Sequence, residues 1–434
     1  MISLLAVGLL VLMLIFIGLG VPIAWSMTII GFTGYWILQG SGPALTQVYL
    51  HAMDKSSDIF FVSLPLFVLM GQLVYHSRLA EDMYDCIYKW FGRLPGGLAI
   101  TSTIGATGFG SVTGSSVASI STFTPMSMPE MKRYGYDTGL ATASIASSGT
   151  LAMLIPPSII MVAYGIWTET SIGSLFVAGI IPGLLLSFMF CVYIYMQCKL
   201  YPHKGPVGQK FSIKEKFISL YKLLPILSIF AIVIGGIYGG VFTSTEASGV
   251  GVFCITVLSV AMRRLSLESF KNALYDSCKT TGMIFAIIVG GYVTAGFLNI
   301  TGISEQLISF FGTESVNKYV FILLLVLMYL FLGAILDTWA MVILTLPFVY
   351  PIILNLGFSP IWFGVFIVIM MEIATITPPV GIIALMMHDL VPDVPLSKIF
   401  LNCVPFVLIG LLLVTLITIF PEIVMYLPEL QQKR

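Results

Sequence analysis

Charged residues are scarce in this sequence. Only 9% of its 434 residues are Asp, Glu, Lys or Arg, whereas a soluble domain carries roughly 25%. Hydrophobic residues make up 58%, and the mean hydropathy is +1.02. Because a water-facing surface cannot be built from so few charges, a soluble enzyme is excluded and the chain is a polytopic membrane protein. The formal net charge of zero argues against a nucleic acid partner, which requires a concentrated basic face.

Several motifs are also missing. The six cysteines form no CxxC pair and no zinc spacing, so we infer neither disulfides nor a transition-metal site. No HExxH, GxSxG or P-loop is present, so neither hydrolysis nor ATP-driven pumping has visible machinery. The N-terminus lacks the basic region and cleavage site of a secretory signal, and we expect the first apolar segment to be retained as a helix.

Apolar runs of membrane length, about 20 residues, fill most of the chain. They predict ten spans, five in each half, near 2–20, 22–39, 58–76, 138–166, 171–198, 221–240, 246–262, 280–299, 360–387 and 397–420. Two further stretches, 96–135 and 318–357, are interrupted midway by small or polar residues. We interpret both as re-entrant hairpins, because such backbone is tolerated at membrane depth only inside protein or beside water.

The basic residues give the orientation. The positive-inside rule places the basic linker 201–220 in the cytoplasm, and the same topology puts most other Lys and Arg residues on that side. The opposite side retains only Lys55, Lys318, Lys433 and Arg434. Both termini are therefore predicted to be periplasmic. The charge pattern of 78–94 indicates an interfacial helix, an arm lying flat on the cytoplasmic side, with 302–317 in the equivalent outer position; the alternative is a helix that merely floats at the interface.

The prolines reveal an internal repeat. Four pairs lie 222 residues apart: Pro125 and Pro347, Pro129 and Pro351, Pro156 and Pro378, and Pro157 and Pro379. Coincidence among 22 prolines is the alternative. Because each half has an odd number of spans, the second repeat (221–434) must be inverted relative to the first (1–200). Inverted repeats with broken helices are a recurrent design of secondary transporters with alternating access.

Four elements should meet near the membrane midplane: the hairpin tips 110–116 and 333–338, and the broken spans 138–166 and 360–387. A Pro-Pro pair removes two amide donors and interrupts a helix. The freed carbonyls and nearby hydroxyls suit sodium, and the N-terminal ends of half-helices suit a carboxylate. Close helix packing is the alternative for the Gly-Ser tip, and a simple kink is the alternative for the Pro-Pro pairs.

Asp337 is the one acidic residue at a hairpin tip. An acid in an apolar segment is costly and commonly functional, so we favour a role with a cation over a structural hydrogen bond. Glu372 lies near the same site or else pairs with a backbone amide. No Lys or Arg is predicted at the midplane, which leaves two interpretations, sodium-coupled uptake of an anion or transport of a neutral solute.

Four motifs carry a family resemblance: GFGSVTGSSVASIS (108–121), IPPSIIMVAYG (155–165), GGIYGGVFTSTEASGVG (235–251) and TPPVG (377–381). The chain resembles the large membrane (DctM-type) subunit of tripartite ATP-independent periplasmic (TRAP) transporters over nearly its whole length. Ser244 departs from the family pattern, which often has proline there. The resemblance implies an elevator-type transporter in the bacterial inner membrane that imports organic acids, such as C4-dicarboxylates or sialic acid, with sodium. It also implies a small four-helix membrane subunit and a periplasmic substrate-binding protein as partners.

The candidate site residues follow from the tips, the breaks and this resemblance. Candidate sodium-binding residues are Ser111, Ser115, Ser116, Gly149, Thr150, Gly333, Asp337, Thr338, Thr375 and Thr377. Candidate substrate-binding residues are Ser116, Ser148, Pro156, Pro157, Thr338, Pro378 and Pro379. The competing interpretations are a channel, since discontinuous helices also build selectivity filters, and an intramembrane enzyme, for which no motif is present.

Overall fold

The computed structural model describes residues 2–57, 59–303, 305–306, 309, 317–333 and 336–432. Within these ranges the chain is helical and contains no strand. The helices are α1 (Ile2–Gly18), α2 (Ile23–Gln39), α3 (Ser41–Ser57), α4 (Ser63–His76), α5 (Leu79–Phe91), α6 (Gly97–Thr113), α7 (Ser116–Arg133), α8 (Thr138–Thr150), α9 (Ile159–Thr168), α10 (Ile172–Leu200), α11 (Ile213–Leu220), α12 (Leu224–Tyr238), α13 (Ser244–Ala261), α14 (Leu267–Ile300), α15 (Lys318–Gly333), α16 (Thr338–Asn355), α17 (Pro360–Thr375), α18 (Ile382–Leu390), α19 (Leu396–Ile419) and α20 (Glu422–Gln432).

Six helical stretches of the described chain are long and apolar enough to cross a membrane: Ile172–Leu200, Ile213–Tyr238, Ser244–Ala261, Leu267–Ile300, Thr338–Asn355 and Leu396–Ile419. Shorter apolar helices, such as α4, α9, α15 and α17, accompany them. The all-helical membrane architecture is therefore confirmed. By length alone α16 could cross a membrane, although the sequence predicts it as one limb of a hairpin.

Helix boundaries recur at the spacing of the proline pairs. Adding 222 to the bounds of α7 gives those of α16, and both helices contain two internal prolines. Each of these helices is followed by a glycine with positive φ, Gly135 at 75° and Gly357 at 80°. Glycine adopts this conformation without strain, so both limbs end in the same kind of turn. The local structure of these limbs therefore recurs at the same 222-residue spacing as the prolines.

The two interrupted helices run in opposite directions. The Lys398 ammonium, in the first turn of α19 after the short connection from α18, donates to the Asp137 carboxylate before α8 at 2.9 Å. At the other end, the Tyr164 hydroxyl in α9 donates to the Pro360 carbonyl that begins α17, at 2.7 Å. The Tyr350 hydroxyl in α16 donates to the Thr168 carbonyl at the end of α9, at 3.3 Å. The start of each interrupted helix therefore lies beside the end of the other.

Three helices of the structure were not predicted from the sequence: α3, α11 and α20. α3 was not predicted, because its composition is nearly neutral in hydrophobicity and includes Asp54 and Lys55. In the second half a single helix, α14, covers the positions that α3 and α4 occupy in the first half. Most of the outer arm predicted over 302–317 lies outside the described residues.

Helix α5, within the predicted cytoplasmic arm, is held by ion pairs. Its Asp82 carboxylate lies 2.6 Å from the Arg264 guanidinium, and its Asp85 carboxylate lies 2.9 Å from the Lys222 ammonium. Arg264 belongs to the connection between α13 and α14, and Lys222 immediately precedes α12. These contacts hold α5 against the segments that precede α12 and α14.

The linker between the repeats crosses the base of the first hairpin. The Gly96 amide before α6 donates to the Gly205 carbonyl at 3.0 Å, and the Asp137 amide donates to the Lys204 carbonyl at 3.0 Å. The Tyr136 hydroxyl donates to the Pro206 carbonyl at 2.8 Å. This end of the molecule therefore brings together the linker, the hairpin base and the start of α8.

Candidate functional site

The tip of the first hairpin lies against the break between α8 and α9. A Cβ atom added to Gly110 would be 2.5 Å from Ala152 Cα, and one added to Gly114 would be 2.9 Å from the Pro157 carbonyl oxygen. Gly114 also has a φ of +60°, so a larger residue there is excluded by space and by backbone conformation. The tip therefore contacts the break through backbone, without intervening side chains.

The break itself contains a cis peptide between Pro156 and Pro157. A short 3-10 turn over Leu151–Met153 precedes it, and α9 begins after Ser158, whose hydroxyl accepts from the Met161 amide at 3.3 Å. The N-terminal end of α9 therefore starts at the break with its positive dipole end there. This is the arrangement that suits an anionic group.

The predicted hydroxyls near the first break donate to neighbouring oxygens. The Ser111 hydroxyl donates to the Gly108 carbonyl at 2.7 Å, and the Thr150 hydroxyl donates to the Ser147 carbonyl at 2.8 Å. The Ser116 hydroxyl reaches the Thr150 carbonyl at 3.4 Å, which joins the tip to the end of α8. Because these protons are already committed, the hydroxyl lone pairs stay available to a cation.

The second half repeats this arrangement. A Cβ atom on Gly333, at the end of α15, would meet the Ala374 side chain and lie 3.2 Å from Ala374 Cα. The connection between α17 and α18 contains a cis peptide between Pro378 and Pro379. The Thr377 hydroxyl donates to the Ile373 carbonyl at 2.7 Å. The end of α15 therefore lies against the second break, as the first tip lies against the first.

Asp337 caps the N-terminus of α16. Its Oδ1 atom accepts from the Ala340 amide at 3.0 Å, and the carboxylate also faces the Trp339 amide. The position 222 residues earlier is Ser115, which caps α7 by accepting from the Ala118 amide at 3.3 Å. The two hairpins thus share one capping position and differ there in charge.

Glu372 is the most deeply buried acid in the described chain. Its side chain is 2% exposed, and in the described part of the molecule neither carboxyl oxygen has a hydrogen-bond partner. The carboxyl group faces the amide of Leu154 at the first break, but that amide donates to the Leu151 carbonyl. Glu372 therefore lies between the end of α17 and the first break, a proximity between the two halves that the sequence did not specify.

The predicted residues differ in accessibility. Pro156 and Pro157 at the first break are buried, whereas Pro378 and Pro379 at the second are exposed. Ser115, Asp337 and Thr377 are partly exposed, and the remaining predicted residues are buried: Ser111, Ser116, Ser148, Gly149, Thr150, Gly333, Thr338 and Thr375. In this conformation the second break is accessible and the first is not.

Sequence reasoning missed three hydroxyls around the first hairpin. Thr103 accepts from the Ser148 hydroxyl at 2.9 Å and so orients a predicted substrate residue. The hydroxyls of Thr113 and Ser119 are buried and have no partner among the described residues. Thr113 lies within the predicted tip, so its place in the sequence could have identified it as a candidate site residue. Nothing in the sequence distinguished Thr103 from other helix-packing threonines.

Two ion pairs lie at the hairpin base beside the linker. The Lys132 ammonium lies 2.7 Å from the Asp393 carboxylate, and its hydrogen bond lowers the pKa of Asp393. Partial burial acts to raise the pKa of Asp137, but the hydrogen bonds from Lys398 and the Leu140 amide outweigh it and lower that pKa overall. These pairs connect α7 and α8 of the first half to α18 and α19 of the second.

The chain matches a family model described as the tripartite ATP-independent periplasmic transporter, DctM component, over residues 10–423. It is 32% identical over 394 residues to the C4-dicarboxylate TRAP transporter large permease protein DctM of Pseudomonas aeruginosa, covering 91% of this chain and 92% of that protein. It is 30% identical to the sialic acid large permease SiaM of Vibrio cholerae, covering 95% of each. The ectoine/5-hydroxyectoine large permease UehC of Ruegeria pomeroyi is 28% identical, over 96% and 97%.

A solved structure shares the fold. The Alcanivorax borkumensis YdaH transporter aligns with a TM-score of 0.60 over 88% of each chain, at 13% sequence identity. At that identity the likeness concerns the fold alone, and it is the fold of a membrane transporter.

Proposed function

Because this chain belongs to the DctM family of large TRAP transporter permeases, we propose that it imports an organic acid anion together with sodium. The large permeases of this family are transporter components rather than enzymes. We further propose that a periplasmic binding protein delivers the anion and that a small four-helix membrane subunit accompanies the permease in the bacterial inner membrane, with C4-dicarboxylates and sialic acid as the first substrates to test.

The chemistry of the tips and breaks carries this proposal. These segments offer hydroxyls, carbonyls and two acids, Asp337 and Glu372, but contain no Lys or Arg. A carboxylate entering such a site meets helix N-termini, and sodium supplies the positive charge that the side chains do not. The proposed sodium and substrate residues are those predicted from the sequence, with Asp337 as the ionic ligand.

The opposite direction of the two interrupted helices supports inverted repeats and an elevator motion. The hairpins, α8, α9, α17, α18 and the start of α19 contact one another at both ends, through Asp137 and Lys398 and through Tyr164 and Pro360. Helix α5 packs against the first hairpin, with the ring centroids of Tyr84 and Phe123 6.2 Å apart, and also forms ion pairs with Lys222 and Arg264. We propose that the first group moves as the transport unit and that α5 is an arm connecting it to the scaffold.

Sodium-driven uptake tests the function. Proteoliposomes containing the permease and the small subunit, supplied with purified binding protein, should accumulate a carboxylate only under an inward sodium gradient. Potassium in place of sodium, or omission of the binding protein, should abolish accumulation. Equal uptake without a sodium gradient contradicts the coupling, and substrate-independent current indicates a channel.

A neutral or zwitterionic solute is the second candidate. The ectoine/5-hydroxyectoine permease among the relatives favours it, and the absence of Lys and Arg from the site is compatible with it. Including ectoine beside the carboxylates in the uptake assay distinguishes the two candidates directly.

The proposed orientation gives a labelling prediction. Cysteine at Lys210, an exposed residue of the linker, should react with a membrane-impermeant maleimide only from the cytoplasmic side. Cysteine at Val241, 70% exposed between α12 and α13, should react only from the periplasmic side. A Cys278→Ser background removes the one native cysteine that is exposed. Labelling of both positions from the same side contradicts the topology and, with it, the inverted repeat.

A further inference from the structure

A groove runs along α10 on the outer face of the molecule. It has a volume of about 580 Å³, and most of its wall consists of two rows of α10 residues spaced four apart. Such rows lie side by side on one helix face. One row runs from Phe188 to Leu200, the other from Met189 to Tyr201, and Ile409 of α19 completes the wall. Both α10 and α19 are long and apolar enough to cross a membrane, so the groove faces lipid.

The length of the groove matches one membrane leaflet. From Phe188 to Tyr201 the helix rises roughly 20 Å, close to one leaflet with its headgroup region, roughly 21 Å. A lipid-facing groove of this length suits an acyl chain.

The groove changes from apolar to polar along its length. Phe188, 65% exposed, lies at the apolar end. Gln197 lies at the polar end, and its Oε1 atom is buried without a partner among the described residues. Buried polar atoms are normally satisfied, and a donor that enters the groove would satisfy this oxygen. A lipid with hydroxyl groups near its phosphate supplies one.

Two ammonium groups stand at the polar end. Lys199 Nζ lies 5.8 Å from the ring centroid of Tyr195, and Lys204 Nζ lies 5.4 Å from that of Tyr201, which lines the groove. In the described chain neither forms an ion pair. The nearby Asp137 carboxylate is bound by Lys398 instead. The positive charge at the mouth therefore complements an anionic headgroup.

We propose that this groove is a specific binding site for an anionic glycerophospholipid, with the acyl chain along α10 and the phosphate between Lys199 and Lys204. The proposed orientation places this site in the cytoplasmic leaflet, whose anionic lipids attract basic residues. The site depends on the proposed function in this respect alone.

Native mass spectrometry of the purified full chain tests the site, with phosphatidylglycerol as the probe and phosphatidylethanolamine as the comparison lipid. The double variant Lys199→Ala/Lys204→Ala should lose affinity for phosphatidylglycerol roughly thirty-fold and keep its affinity for phosphatidylethanolamine. The matched control Lys210→Ala/Lys214→Ala removes the same charge from the linker outside the groove and should change neither. Equal loss in both double variants means nonspecific attraction and overturns the proposal.

A groove-filling variant gives an independent measurement. Val192→Trp should displace phosphatidylglycerol without removing a charge, and undiminished binding would place the lipid elsewhere. Adding the small membrane subunit should leave phosphatidylglycerol bound; loss of the lipid on assembly would assign this face to that subunit. None of these measurements involves transport, so they are independent of whether sodium drives uptake.

Discussion

Replacing Asp337 by serine is expected to weaken sodium activation of uptake roughly 10- to 100-fold. The carboxylate is partly exposed, an interaction with a charged group contributes about 1.5–3 kcal/mol, and each 1.4 kcal/mol corresponds to tenfold in binding. The measurement is the sodium concentration that gives half-maximal uptake in proteoliposomes. The apparent affinity for the delivered substrate should fall less at saturating sodium.

The two hairpins make this substitution interpretable. Serine is the residue that caps α7 at the equivalent position, Ser115, and its hydroxyl accepts the same kind of hydrogen bond there. Asp337→Ser and Asp337→Asn both keep a good N-cap, so the start of α16 should be preserved while the negative charge is lost. Asp389→Asn removes an exposed carboxylate from α18 and should leave sodium activation unchanged. Unchanged activation in Asp337→Ser would instead assign the carboxylate a purely structural role.

Adding one methyl group at either hairpin tip is expected to reduce uptake by at least roughly tenfold. At Gly110 the new Cβ would stand 2.5 Å from Ala152 Cα, and at Gly333 it would meet the Ala374 side chain. Because Ala152 Cα is backbone, the tip must move away from the break; overpacking of this kind costs about 1–3 kcal/mol or more. Uptake and the thermal unfolding midpoint should therefore both fall in Gly110→Ala and Gly333→Ala.

Gly282→Ala is the matched control. Gly282 lies inside α14, and a Cβ atom there would meet nothing within 4 Å. Alanine in an exposed helix interior is favoured over glycine by about 0.5–1 kcal/mol, so this variant should be neutral or slightly more stable. If all three variants transport normally, the tips do not need their close contact with the breaks.

The sequence predicted the parts of the fold that depend on special residues. The Pro-Pro pairs at a constant spacing located both breaks, because two consecutive prolines interrupt a helix, whereas the prolines inside α7 and α16 leave those helices continuous. Helix α3 was not predicted, because the spans were identified from apolar runs and its polar residues interrupt such a run. The correspondence between Ser115 and Asp337 could be read from the spacing, but their shared capping role required coordinates.

Contacts between the halves could not be predicted. The sequence placed Glu372 near the site or beside a backbone amide, and the structure puts it opposite Leu154 of the other half. That proximity depends on how α17 packs against α8, which involves apolar surfaces without a distinctive pattern. The unequal exposure of the two breaks is likewise a property of packing, since Pro156 and Pro378 lie in similar local sequences.

Under the proposed duplication, the shared cap of α7 and α16 has a consequence for the charge of the site. A site assembled from two identical polypeptides carries an even number of carboxylates at equivalent positions, so its formal charge there is zero or minus two. Two like charges at one site oppose each other's ionisation. Once both copies lie in one polypeptide, Ser115 and Asp337 can differ, and the pair carries a single negative charge. Joining both copies in one chain thus permits an odd formal charge at this pair of positions, which a symmetric dimer cannot have.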